Sequence, residues 1–235
     1  MRFKPKDVII TLVLIATTLT ISLIISASLT GLIFGQSELT SVISIGIIAF
    51  ITLIFSYFII DRMMLKRNNQ GWQALGFQRI PLRKSRHLLW QIPVFYLFSL
   101  LAQGVIMVIY HAFFPISLTN LEGTTNSLYV DISVFPIVFF LVVIFAPLFE
   151  EVFLRGALQE TLTRRYGNKV AIIVGACIFV LIHAFLIVLA PAYFLFGFFL
   201  GYFYYRYQSI YAPLLFHVFI NLINVLTVFL ATVLQ

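Results

Sequence analysis

Seven apolar stretches, at residues 8–34, 40–60, 88–114, 132–158, 170–189, 192–206 and 210–233, take up most of this 235-residue chain. An α-helix needs about 20 apolar residues to cross a hydrocarbon core of about 30 Å, whereas a barrel strand needs only about 9–11. Lipid offers no hydrogen-bond partner to backbone N–H and C=O groups, so a run of this length must close its hydrogen bonds within itself as a helix. The expected fold class is therefore all-α: a polytopic membrane helix bundle with about seven transmembrane helices, forming a single integral-membrane domain over residues 1–235. The sixth stretch is the shortest and reads as a tilted or partial crossing. The first exceeds the apolar core of about 7–15 residues found in a signal peptide, and reads as a retained anchor.

Composition agrees with lipid as the solvent, since 62% of residues are hydrophobic and 10% charged against about 25% charged in soluble domains. The formal net charge of +7 would suit nucleic acid if it were gathered on one surface, and it is not. Arg2, Lys4 and Lys6 precede the first stretch, and Arg62, Lys66, Arg67, Arg79, Arg83, Lys84 and Arg86 lie between the second and third. Arg164, Arg165 and Lys169 separate the fourth from the fifth, and Arg206 the sixth from the seventh. The alternate loops carry only Glu38, Glu122 and Asp131. Basic residues in every second loop follow the positive-inside rule. They put the N-terminus in the cytoplasm and make this a multi-pass protein of the cell membrane, with the lipid bilayer as partner and no role for nucleic acid. The loop 61–87 is expected along the cytoplasmic surface with Trp72 and Phe77 dipping into the interface, and the polar loop 115–131 outside. Cys177 is the single cysteine; it excludes an internal disulfide and a cysteine zinc site and reads as a buried small apolar residue.

Within the apolar stretches stand a few side chains that membrane depth makes costly. Glu150, Glu151 and Arg155 fall in FAPLFEEVFLRGALQE, His183 ends FVLIH, and His217 and Asn221 lie four residues apart in the last stretch. Ionisable groups at such depth are rare and are paired or functional. Glu151 and Arg155, at i and i+4, share a helix face and suit each other as an ion pair. Glu150 points about 100° away around the helix, so it needs a different partner or a proton. At about 1.5 Å per residue, His183 lies about 21 Å in from Lys169, and His217 and Asn221 lie about 12 and 18 Å in from Ser209. Glu150 lies about 12–20 Å deep on the same measure, the segment GALQETLTRRYG being read as an amphipathic tail that leaves the bilayer. Pro147 is expected to free a carbonyl and bend the helix just before the glutamates. Gly197 and Gly201 form a small-xxx-small pair for close helix packing. His87 and His111 read as structural.

Three stretches thus bring acid, imidazole and amide to overlapping depths. Such a set can hydrolyse a peptide bond without a covalent intermediate. Glu150 can draw a proton from a water held by His183, His217 and Asn221 can donate to the oxyanion, and Arg155 can fix Glu151. Glu150, His183 and His217 are also a set that would satisfy a catalytic zinc with water as fourth ligand. The ligands come singly from separate helices with no HExxH, so the spacing does not demand a metal.

The residues Glu150, Glu151 and Arg155 (EExxxR), Phe179 and His183 (FxxxH), and His217 and Asn221 (HxxxN) resemble the three motifs of the CPBP family of CAAX proteases and bacteriocin-processing enzymes, also called Abi. The likeness covers about residues 132–225. It implies an intramembrane endopeptidase that acts on a membrane-associated peptide or protein through glutamate- and histidine-activated water, or with a divalent metal such as zinc. It also implies that Glu151 and Arg155 order the site while His217 and Asn221 hold the oxyanion. The compact size is that of a bacterial member, for which an unprenylated substrate is expected. Two other functions use similar residues. One is a non-catalytic membrane scaffold or bacteriocin-immunity factor that binds a peptide or partner. The other is a proton-coupled transporter, for which the inverted repeat or paired broken helices are not visible.

Overall fold

A computed structural model describes residues 3–33, 38–113, 135–183 and 189–234. The expected outer loop 115–131, with Glu122 and Asp131, lies outside the described residues. The described chain is a helical membrane bundle with no strand among the described residues. Its helices are α1 (Pro5–Ile33), α2 (Glu38–Ile59), α3 (Leu82–Phe113), α4 (Phe135–Tyr166), α5 (Asn168–His183), α6 (Ala190–Tyr207) and α7 (Tyr211–Val233). Four helical spans among the described residues, Gly46–Asn68, Leu82–Phe113, Phe135–Tyr166 and Tyr211–Ala231, are long and apolar enough to cross a membrane. Helix ends fall where a residue can take up the left-handed backbone: Asn69 at φ 51° and Gln208 at φ 52° tolerate it, and Gly167 at φ 83° needs no Cβ to be cleared.

The chain forms two compact units, and the division falls inside α4 and α7. The first comprises residues 1–74, 129–149 and 221–235. Here α2 continues through a π-helical turn at Ile60–Leu65 and a 3₁₀ turn at Lys66–Asn68. Asp7 of α1 is buried, accepts a hydrogen bond from Asn68 Nδ2 at 3.1 Å and pairs with Arg67 at 3.6 Å. Thr52 donates to Ser22 across α1 and α2 at 2.6 Å. A Cβ on Gly46 would lie 3.0 Å from Ile137, so the bare glycine is what lets α2 approach α4. The Trp72 ring stacks on Tyr57, centroids 4.9 Å apart.

The second unit comprises residues 75–128 and 150–220. Its centre is aromatic: Phe179, Phe199, Phe203 and Phe216 are buried, with Phe203 and Phe216 centroids 5.1 Å apart. Phe95 of α3 meets Phe199 at 4.7 Å, and Tyr207 donates to Gln91 at 2.6 Å, which fixes α3 against α6. Leu75 and Ile210 are fully buried. The loop after Leu75 is clamped by Ile210 N–H donating to the Gly76 carbonyl at 2.9 Å and by Ser209 donating to the Gln78 carbonyl. Phe77 packs edge-on against Tyr211 at 6.1 Å. Cys177 is exposed, against the expectation of burial. It lies on the outward side of α5, where a small apolar side chain loses nothing by facing acyl chains.

Candidate functional site

Helix α4 is not uniform. Its turns at Phe140–Phe145 and Val152–Gln159 are π-helical, flanking the α-helical Ala146–Glu151. The first of these is explained by Pro147. At its end Ala146 N–H donates to the Leu141 carbonyl, five residues back. The next bond in that register would run from residue 147 to Val142, and proline has no N–H to make it. Asn221 fills the gap, its Nδ2 donating to the Val142 carbonyl at 2.9 Å. The carbonyl expected to be freed by Pro147 is thus present and has a named partner within the first unit.

The second π-helical segment follows the glutamates, and every residue from Val152 to Gln159 is buried. The stretch from Gly156 to Gln159 is therefore packed inside the protein, and exposure in GALQETLTRRYG begins only beyond Thr161. A Cβ on Gly156 would sit 2.5 Å from the Leu75 carbonyl oxygen, which ties this segment to the loop after α2.

Five of the six expected site residues lie in the second unit and are brought together there. Glu151 is 0% and Arg155 1% exposed, and Arg155 Nη1 donates to Glu151 Oε1 at 3.1 Å. The same Oε1 accepts from His217 Nδ1 at 2.9 Å. Arg155 Nη2 donates to the Gly197 carbonyl of α6 at 3.1 Å, and its guanidinium lies 5.3 Å from the centre of the Phe179 ring. The buried pair is therefore held from α4, α6 and α7 together.

Glu150 faces elsewhere, as its place on the helix requires. Its Oε2 lies 3.5 Å from His183 Nε2 and 3.9 Å from His217 Nε2. The Glu150 side chain is 19% and that of His183 25% exposed, while His217 is 3% exposed. The cluster thus has a closed back, Glu151–Arg155–His217, and a more open front, Glu150–His183. Buried Oε2 atoms of Glu150 and Glu151 make no hydrogen bond to protein. His183 Nδ1 lies 2.9 Å from the Phe179 carbonyl, and its ring stacks on Phe179 with centroids 4.1 Å apart. FxxxH is thereby explained physically: the residue one turn before the histidine supplies both a ring and a carbonyl to orient it.

Asn221, the sixth expected residue, belongs to the first unit and is engaged there with Val142. His87 is engaged by Trp90 at 3.3 Å and His111 is exposed. Three residues of the second unit escaped the sequence reading. Gln159 is buried and donates to the Gly201 carbonyl at 2.9 Å. Tyr193 packs on the His183 ring at 5.3 Å, and Phe196 meets the His217 ring at 5.0 Å. Gln159 had a signal, its i+4 spacing from Arg155. The two aromatics had none among so many.

The resemblance raised a metal held by Glu150, His183 and His217. Among the described residues, no group of three or more His, Cys, Asp or Glu side chains is arranged to hold a metal ion. His217 Nδ1 and His183 Nδ1 are each committed to an oxygen of the protein. Those contacts leave both Nε2 atoms, the ones turned toward Glu150, open to a ligand, as the imidazoles of a metal site are commonly held.

Residues 131–223 match the model of the family described as type II CAAX prenyl endopeptidase Rce1-like. Comparison with curated proteins and with solved structures gave no match. The matched segment contains EExxxR, FxxxH and HxxxN in order, each on a helix. Residues 131–223 are thus similar to the Rce1-like family, in line with the likeness carried by the three motifs.

Proposed function

We propose that the protein is an intramembrane endopeptidase of the cell membrane that hydrolyses a peptide bond of a membrane-associated peptide or protein with an activated water. The observation that carries this reading is the approach of Glu150 Oε2 to the Nε2 atoms of His183 and His217, at 3.5 and 3.9 Å. A carbonyl and a carboxylate only accept, so the Nδ1 of each imidazole carries a hydrogen; in the form with one hydrogen per ring, each turns a bare Nε2 toward Glu150. Three acceptors facing one another need a shared donor. Water supplies two hydrogens and spans such distances.

Glu150 takes a proton from this water, and His183 Nε2 accepts its other hydrogen, which aims the oxygen lone pair at the scissile carbonyl. The hydroxide adds to the carbonyl carbon. To donate to the oxyanion, His217 Nε2 takes up one proton from solvent and returns it when the adduct collapses, with Glu151 behind it holding Nδ1–H. Arg155 neutralises Glu151 in the resting site. The tetrahedral adduct collapses, the C–N bond breaks, and Glu150 returns its proton to the leaving amine. Asn221 retains a second amide N–H beside the one given to Val142, and we assign it to the oxyanion on the strength of HxxxN alone.

The test uses purified protein in proteoliposomes with a membrane-anchored peptide ending in a CAAX sequence, offered with and without a farnesyl chain. Release is followed by mass spectrometry. Glu150→Ala and His183→Ala should abolish release while the protein accumulates normally. Cleavage at the parent rate in both would end the mechanism. Peptide binding without cleavage would favour the scaffold or immunity factor, and ion flux without cleavage the transporter. Chelation should leave the rate unchanged, and loss restored by zinc would overturn the metal-free chemistry.

A further inference from the structure

We propose that Gln159 is a positioning residue for the Glu151–Arg155 pair, acting through a two-rung ladder between α4 and α6; only its kinetic test rests on the endopeptidase reading. Glu151, Arg155 and Gln159 recur every four residues along α4, and Gly197 and Gly201 recur at the same interval along α6. Arg155 Nη2 donates to the Gly197 carbonyl at 3.1 Å and Gln159 Nε2 to the Gly201 carbonyl at 2.9 Å. Both donors are almost fully buried, at 1% and 2% exposure. Each carbonyl belongs to a helix and also serves the N–H one turn on, so the side chains approach it from the side. Such an approach needs a bare helix surface. A Cβ on Gly201 would lie 3.1 Å from Gln159 Oε1 and 3.2 Å from Ile172, and one on Gly197 3.0 Å from Phe179 and 3.1 Å from Ala176. At Gly201 the bare surface admits the Gln159 amide itself, and at Gly197 it admits α5 beside the carbonyl that Arg155 reaches; the two carbonyls stand at the pitch of the two donors.

The consequence is a fixed register. One hydrogen bond from Arg155 to α6 would leave α4 able to pivot about it. The second, one turn further, removes the pivot. Arg155 is then set so that Nη1 reaches Glu151, and Glu151 so that Oε1 reaches His217 Nδ1. Gln159 carries no charge and touches none of the reacting groups; its effect reaches His217 only through Arg155 and Glu151. A glutamine suits this place because its amide supplies a donor to a carbonyl at no cost of a second buried cation.

Two readouts test the proposal. In the proteoliposome assay, Gln159→Leu should lower kcat about tenfold, as for one lost buried hydrogen bond, with KM unchanged. In an Arg155→Lys background the same substitution should have little further effect. An equal loss in both backgrounds, or a lower Tm with kcat unchanged, would reduce Gln159 to ordinary packing. Independently of any cleavage, ¹⁵N spectra of histidine-labelled protein in nanodiscs should show the His217 Nδ1 resonance, assigned with His217→Gln, displaced by both Gln159→Leu and Gly201→Ala. An unmoved resonance would overturn the proposal whatever the peptide assay gives. A displaced resonance without peptide release in the parent would keep the ladder and remove the endopeptidase.

Discussion

Adjacent glutamates with unlike surroundings are the core of this protein at the scale of residues. Glu151 is closed in by Arg155 and His217, whereas Glu150 keeps one oxygen free of hydrogen bonds beside two imidazoles. Removing one partner of a buried pair leaves an uncompensated charge, and the usual cost is about 3–5 kcal/mol. Arg155→Ala should therefore lower stability by about that amount in detergent unfolding, and Glu151→Gln by less, since an amide oxygen still accepts from both neighbours. Glu150→Gln should leave stability nearly unchanged while abolishing cleavage, because nothing in the fold depends on its charge. As a base, Glu150 acts only without its proton, so the rate should fall as pH drops through its titration; a flat acid limb would remove it from that role. The roles follow from i, i+4 spacing and from the 100° offset between neighbours, so they were legible in the run of letters. Which imidazole would meet which carboxylate was not, since that depends on how α5 and α7 pack.

Helix α4 shows at the scale of elements how a proline and a distant asparagine become one feature. Pro147 lacks the N–H that the π-helical register would deliver to Val142, and Asn221 supplies it. Asn221→Ala should thus cost about 1 kcal/mol by leaving the Val142 carbonyl without this donor. Pro147→Ala restores the backbone donor, so in that background the penalty of Asn221→Ala should shrink; a double-mutant cycle in a thermal unfolding assay reads the coupling. Purely additive effects would separate the two residues. The sequence pointed to a freed carbonyl but not to its partner, because a carbonyl advertises nothing about which helix will reach it. Similarly, Gly156 looked like part of an amphipathic tail. Its Cβ would strike the Leu75 carbonyl at 2.5 Å, and Gly156→Ala should destabilise by about 1–3 kcal/mol through a clash with backbone that cannot rotate away.

Orientation is the property that belongs to the whole molecule. By the positive-inside rule, basic residues in alternate connections are expected to set the segment 61–87 in the cytoplasm. A cysteine placed at Arg83, in a Cys177→Ser background, should resist a membrane-impermeant thiol reagent in intact cells and react after permeabilisation. Labelling in intact cells would invert the topology. By itself the sequence determined the helical class, the approximate limits of the helices, the alternation of charge and the residue types able to do chemistry. Those follow from local rules: backbone in lipid must satisfy itself, and buried charge must be matched. Only the tertiary structure decided that His217 backs onto Glu151 and His183 onto Glu150, that Gln159 stands beside Arg155 as a second donor to α6, and that Cys177 faces outward. Contacts between helices depend on rotation and register, and a uniformly apolar helix surface leaves both open until neighbouring side chains, glycines and carbonyls interlock.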